Sequence, residues 1–490
     1  MTYFSVQKVL RHSLILCCVV FIISQAAQAA PPPVNIAAMA DENYTTGTKG
    51  FWGFATGLDR SSALLGDLWG LRTGLSRYGI SLAILETSEV LGNVTGGSQK
   101  GFAYDGLTQV VAQMDTNRAF GHYGGLVNVS FLNLHGNNLS TSNLQTLQTA
   151  SGIEGDQATR LWELWYEQKF LDEDRMSLRI GQQSLDQEFM VSTNALYFMN
   201  TMFGWPMLPS ADMPSGGPAY PLSALGVRLS AKPVDGITLL AGVFNGNPVK
   251  NDNGTDPQMQ NRNGLSFPTN GGRLYIAEAQ FSYPALGSMV EPGQAKSLGF
   301  TYKIGAWYNT NSFSNLAVDQ SNISLADPTS SGKPLQHQNN YAFYAVADQL
   351  VWRDDKDPNR TLGFFGRVMG TPLKDRNLID FSLNAGVVMH SPFKNRPADT
   401  FGLGVGYAHV SDQAAQFDQN AIAFTGVTTP IRSSETFVEL TYQYQLRPWI
   451  QIQPDIQYVF NPGGGIVNPN NPSARIQNEL IIGVRTNILL

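Results

Sequence analysis

Residues 161–170 read Leu-Trp-Glu-Leu-Trp-Tyr-Glu-Gln-Lys-Phe, which puts Glu163, Trp165, Glu167 and Lys169 on alternate positions. Two carboxylates this close in sequence invite comparison with the acid and base of a glycosidase. On a strand, however, a spacing of four sets them roughly 13 Å apart along one face, beyond either hydrolytic geometry. The row suits another chemistry. A sugar presents hydroxyl edges and apolar C–H faces, so engaging one calls for fixed hydrogen-bonding groups beside an aromatic plate. Further along, Arg179, Gln183, Glu188, Arg228, Lys303, Asp348, Arg367, Glu439 and Gln443 offer polar groups of both signs, and Trp307 a second plate. The mixture of signs argues against a strong ion-selective ring. A hydrolase would need a nucleophile held by an oriented base, yet His122, His135, His337, His390 and His409 are scattered and no Gly-x-Ser-x-Gly elbow accompanies them. Residues 251–260 match a calcium loop only loosely and read as a solvated loop. No metal or cofactor is expected.

The elements that must position these groups are strands. Charged residues make up 14% of the chain, well under the usual level of about a quarter. The net charge of -6 implies no nucleic-acid partner. Residues 1–29 have the form of a secretory signal: Lys8 and Arg11, an apolar run from Leu14 to Ile23, and Ala27-Gln28-Ala29 before a cleavage point at Ala30. Cys17 and Cys18 lie in that run, so the exported chain is expected to carry no disulfide. Residues 30–78 read as a periplasmic leader with a short amphipathic helix, Ser61 or Ser62 capping it and Leu64, Leu65, Leu68, Trp69 and Leu71 mostly on one side.

Residues 79–490 hold about sixteen alternating segments, from 80–90 to 479–490, near the length of about 9–11 residues that a tilted strand needs to cross a bilayer. Connections after even-numbered segments are mostly short (171–175, 232–236, 353–360, Arg447-Pro448). Those after odd-numbered ones are mostly long (135–158, 184–224, 245–272, 309–340, 410–434, 460–478). The expected fold is all-β: a transmembrane antiparallel β-barrel of about sixteen strands with long extracellular loops and short periplasmic turns. A secreted sandwich has no reason to sort its loops by parity.

Parity also assigns faces. Leu298, Phe300, Tyr302, Ile304, Ala306 and Tyr308 oppose Thr301, Lys303, Trp307 and Asn309, and Trp162, Leu164, Tyr166 and Phe170 oppose Glu163, Trp165, Glu167 and Lys169. A Lys or Arg at mid-bilayer on the lipid side costs about 2–4 kcal/mol, so the charged rows should face the lumen. By the same rule Gln443, Gln451, Gln453 and Gln457 should line a pore, with Tyr442, Tyr444 and Tyr458 in an interfacial girdle. Pro454 lacks a ladder donor and predicts a bulge or locally broken pairing. Residues 184–221 carry Phe189, Met190, Leu196, Tyr197, Phe198, Met199, Met202, Phe203, Trp205, Met207 and Leu208, too much apolar surface to leave in water. The loop should pack inside the barrel and narrow it; a lid over the mouth or a subunit contact is the alternative. Arg179, Glu188 and Arg228, which border it, and Trp165 rank first as groups at the narrowest point.

"GDLWGLR" (66–72), "RIGQQSLDQEF" (179–189), "YAVADQLVWR" (344–353), "RNLIDFSLNAGVV" (376–388), "TFGLGVGYAHVSD" (400–412) and "ETFVELTYQYQLRPWIQIQPDIQYVFNPGG" (435–464) resemble the carbohydrate-selective porins of Gram-negative outer membranes, the OprB type, over roughly residues 60–490. The resemblance implies a sixteen-stranded barrel admitting sugars or polyols by passive diffusion, with loops narrowing the channel. It implies an outer-membrane location in contact with lipid, and recognition of the last strand by the assembly machinery. That family usually reads Gly-Asp-Trp-Gly-Gly-Leu-Arg at 66–72, and outer-membrane barrels commonly end in Phe where this chain ends at Leu490. Whether the barrel is a homotrimer stays open, as do a less selective small-solute channel and an outer-membrane hydrolase as alternative functions.

Overall fold

The computed structural model describes residues 61–250, 255–284 and 298–490. The signal segment, most of the leader and part of 251–260 lie outside the described residues. Fifteen strands follow in order: β1 (Ile80–Thr95), β2 (Gly101–Asp115), β3 (Gly125–Gly136), β4 (Ala158–Phe170), β5 (Met176–Gln183), β6 (Ala224–Ala231), β7 (Ile237–Asn245), β8 (Arg273–Tyr283), β9 (Phe300–Asp319), β10 (Pro334–Arg353), β11 (Thr361–Gly370), β12 (Ile379–His390), β13 (Thr400–Val410), β14 (Ser434–Arg447) and β15 (Ile450–Phe460). A small hairpin, β16 (Val467–Asn468) and β17 (Asn471–Arg475), sits in the next loop, and β18 (Glu479–Leu489) closes the barrel between β15 and β1. Every neighbouring pair is antiparallel, so the sixteen wall strands leave no free edge.

The alternation works as expected. Along β15, Gln453, Asp455 and Gln457 are buried while Pro454, Ile456, Tyr458 and Phe460 are exposed to the lipid side. Most of the long connections lie at one rim and most of the short ones at the other, the arrangement in which the long-loop rim of an outer-membrane barrel faces outward. No helix among the described residues is long and apolar enough to cross a membrane. Pro454 interrupts the pairing without a bulge: the β14–β15 register holds from Thr441↔Asp455 to Tyr444↔Ile452, with no pairs between, and the slip comes later, between Gln445 and Arg447.

The structure refines two expectations and corrects two others. Within the long connection at 309–340, the β9–β10 hairpin continues well past the wall, to Asp319 and Pro334. Its polar sequence hides the strand, but Asp319 staples the tip by accepting from the backbone N–H groups of Ser321, Ile323 and Ser331. The loop at 411–433 contains a helix, Asp412–Thr425, stopped by Gly426 in the left-handed region. The leader helix begins only at Leu71, not at Ser61 or Ser62, because Gly66, Leu68, Trp69 and Gly70 all have positive φ and break the turn. Trp162 faces inward. The β3–β4 register slips between Ser130 and Phe131, leaving Trp162 as the extra residue of β4, and a one-residue slip moves a side chain to the other face. Trp162 packs edge-on against Tyr220, ring centroids 6.2 Å apart, in an interior cluster with Leu132, Leu134 and Ile153.

Candidate functional site: a loop inside the barrel and the charges around it

The loop between β5 and β6 is buried in the barrel. Phe189, Met190, Met199, Met202, Phe203, Trp205 and Leu208 are each no more than 1% exposed. The wall makes room for them. On the inner face of β13, a Cβ at Gly402 would lie 2.9 Å from the Phe198 ring and one at Gly404 would lie 2.6 Å from the Phe203 ring. Phe203 in turn meets Phe365 and Phe437 edge-on at 5.6 and 5.3 Å. The glycine row of β13 is therefore a slot for aromatic side chains of the loop.

Burying a loop strands its backbone polar groups unless the wall supplies partners. It does so with charges. Glu439 accepts from the N–H groups of Met199 and Asn200 at 2.6 and 2.9 Å. Asp348 accepts from Ser192 Oγ at 2.7 Å and from the N–H groups of Thr193 and Asn194. Lys303 Nζ donates to the carbonyl of Val191 at 2.7 Å, and Glu163 accepts from Ser184 N–H at 3.0 Å. The Arg367 guanidinium donates to the carbonyls of Met190 and Gly204 at 2.8 and 2.9 Å and also to Met202. Gln183 donates to the Gly226 carbonyl, and Trp307 is buried among the core residues. The glutamine row of β15 faces inward as its alternation requires, but Gln453 and Gln457 do not line open water: they donate to the carbonyls of Tyr197 and Ala150. Loop backbone covers them.

One group of sequence-identified residues does come together beside a water-exposed edge. Arg179 on β5 stands directly opposite Arg228 on β6 and Glu167 on β4. Two like charges paired across strands repel, and the loop supplies the compensating acid. Glu188 contacts Arg228 Nε at 2.7 Å and Arg179 at 3.3 Å, while Glu167 reaches Arg179 at 2.7 Å and Arg228 at 3.2 Å. Trp165 lies under Arg179, the guanidinium carbon 4.0 Å from the ring centroid. Exposure separates the members: the Arg179 and Glu188 side chains retain 18% and 21%, against 2% for Arg228. A cavity of about 260 Å³ is lined by Asn138, Asp156, Tyr220 and Asp256 among others. Another of about 250 Å³ touches Asn194, Asp348 and His390; neither cavity includes a member of the ionic cluster.

The chain matches the model of the family described as carbohydrate-selective porin, OprB family, over residues 99–490. It belongs to that family. It is an outer-membrane β-barrel channel through which sugars diffuse passively. It is 23% identical to Porin B of Pseudomonas aeruginosa over 448 residues, covering 87% of this chain and 90% of that one. It is also 23% identical to the putative porin QuiX of Acinetobacter baylyi, covering 82% and 89%. The high-pH structure of Pseudomonas putida OprB shares the fold, with a TM-score of 0.76 at 23% identity over 88% of this chain and 99% of that one.

Several anchoring residues escaped the sequence reading. Glu278 on β8 accepts from Met190 N–H at 2.8 Å, and Asp212 accepts from Leu378 N–H at 2.8 Å. Glu435 on β14 accepts from Leu147, Gln148 and Gly463. Through Glu435, a second loop, 137–157, is also drawn inward. Its polar composition gives no sign of burial, but Glu435 lies on the same inward row as Glu439 and marks the site in retrospect.

Proposed function

We propose that sugars or polyols pass through a channel narrowed by the loop between β5 and β6, and that Arg179 and Glu188, backed by Glu167 and Trp165, are the groups they meet at the constriction. The observation that carries this is the exposure contrast within the ionic cluster. Arg179 and Glu188 keep part of their surface open, whereas Lys303, Asp348, Arg367 and Glu439 are buried and already bonded to loop backbone. In the cluster each base faces an acid, so the site has paired donors and acceptors with little net field, which suits a neutral polyhydroxy solute. The indole of Trp165, itself 6% exposed, backs the Arg179 guanidinium and fixes where it stands. In this reading Glu163, Lys303, Asp348, Arg367 and Glu439 shape the passage by holding the loop, Gln183 bonds to the wall and Trp307 packs in the core, and none of them contacts the solute. Uptake of glucose and of a larger saccharide into liposomes tests it: Arg179→Ala and Glu188→Ala should change the ratio of the two rates. Unchanged rates for both sugars remove these residues from the constriction.

A further inference from the structure

We infer that Glu278 and Arg367 together set the charge selectivity of the passage without touching it, by holding the backbone of Met190 and through it the position of Glu188. This rests on the reading that Glu188 stands at the constriction. Met190 has φ 63, a left-handed conformation that a residue with a long side chain adopts only when its surroundings enforce it. Two buried charges do so from different strands. Glu278 on β8 takes the Met190 N–H at 2.8 Å, and Arg367 on β11 donates to the Met190 carbonyl at 2.8 Å. Each is itself fixed. Tyr344 Oη and Gln280 Nε2 donate to the Glu278 carboxylate at 3.0 and 2.7 Å, and Arg367 also donates to Asn384 Oδ1 and to the carbonyls of Met202 and Gly204. The guanidinium thus ties the start of the loop to its middle.

Glu188 lies two residues upstream, with Phe189 between them packed edge-on against Phe244 at 6.5 Å. Its carboxylate is the loop's contribution to a site in which Arg179 and Arg228 are cross-strand neighbours. If the Met190 turn relaxes, Glu188 withdraws and two cations remain with the single acid Glu167. The local field then turns positive and favours anions.

The test is the cation-to-anion permeability ratio of single channels in planar bilayers under a potassium chloride gradient. Glu188→Gln should lower the ratio severalfold. Glu278→Gln should lower it to a similar extent, and the double substitution should go no further than Glu188→Gln alone. Arg367→Lys keeps the positive charge but loses the fork across three carbonyls, so a ratio lowered there cannot arise from charge removal at that position. It also serves if Glu278→Gln fails to give a heat-modifiable, folded barrel. If Glu188→Gln lowers the ratio while Glu278→Gln and Arg367→Lys leave it at the wild-type value, even with a larger conductance, the positioning role is wrong and the constriction stands. If Glu188→Gln itself leaves the ratio unchanged, the constriction reading fails.

Discussion

Two inward-facing arginines, Arg228 and Arg367, are both 2% exposed, yet they sit in different kinds of site. Arg228 bonds to side chains, Glu167, Glu188 and Ser177, in a cluster whose other base remains partly in water. Arg367 uses its N–H groups on three loop carbonyls and on Asn384. The chemistry of a lumen charge thus depends on what the inward loop presents to it. Where loop backbone arrives, the charge becomes an anchor; where side chains of opposite sign meet at an open edge, it is left to face solute.

The sharpest way to break this contrast is Arg367→Ala. It leaves the buried carbonyls of Met190, Met202 and Gly204 without their donor, each costing about 1–3 kcal/mol. Heat-induced unfolding in detergent should show the largest drop in midpoint of these substitutions, and single-channel conductance should rise as the loop loosens. Next is Gly404→Val, which puts a side chain where a Cβ alone would stand 2.6 Å from Phe203. Overpacking of this kind costs about 1–3 kcal/mol, and the same melting assay should register it with no direct change at the ionic cluster.

Arg179→Ala should behave in the opposite way. It removes the pairs with Glu167 and Glu188 but also relieves the repulsion with Arg228 across the strands, so the drop in melting midpoint should be smaller than for Arg367→Ala, while glucose uptake into liposomes changes severalfold. The smallest effect is expected at the inner rim. Burial would raise the Asp399 carboxyl, but hydrogen bonds from Arg396 and Tyr442 outweigh this and hold it below its ordinary value of 3.8. A depressed folded-state value contributes stability that is present above 3.8 and lost as pH falls through the folded value. The melting midpoint of the wild type should exceed that of Asp399→Asn at neutral pH, and the gap should close as the pH is lowered below 3.8. A gap independent of pH would separate Asp399 from this ionisation.

Much of the fold was legible because lipid imposes a strict rule on every second residue. The rows in β9, β14 and β15 could be assigned to faces from that rule and the cost of a charge in hydrocarbon. Trp162 was misassigned because a β-bulge leaves no mark in a period-2 pattern. The apolar content of residues 184–221 announced an inward loop, since nothing else would cover Phe198, Phe203 and Trp205. The sequence could not say which inward charges meet that loop's backbone. Glu163 and Glu167 have the same residue type on the same strand. One accepts from Ser184 N–H and the other from two arginines, a difference decided by residues on other elements. Glu278 gave no signal of its own, because its role follows from the backbone of Met190.

The division between open cluster and closed anchors is tested most directly by thiol accessibility, since Cys17 and Cys18 are the sequence's only cysteines and both precede the expected cleavage point. With the barrel folded, Glu188→Cys should react readily with a small hydrophilic thiol reagent and be slowed by saturating glucose, while Asn384→Cys, beside Arg367, stays unreactive on the same timescale. Equal reaction at the two positions, or labelling of Glu188→Cys that glucose does not slow, would contradict the account.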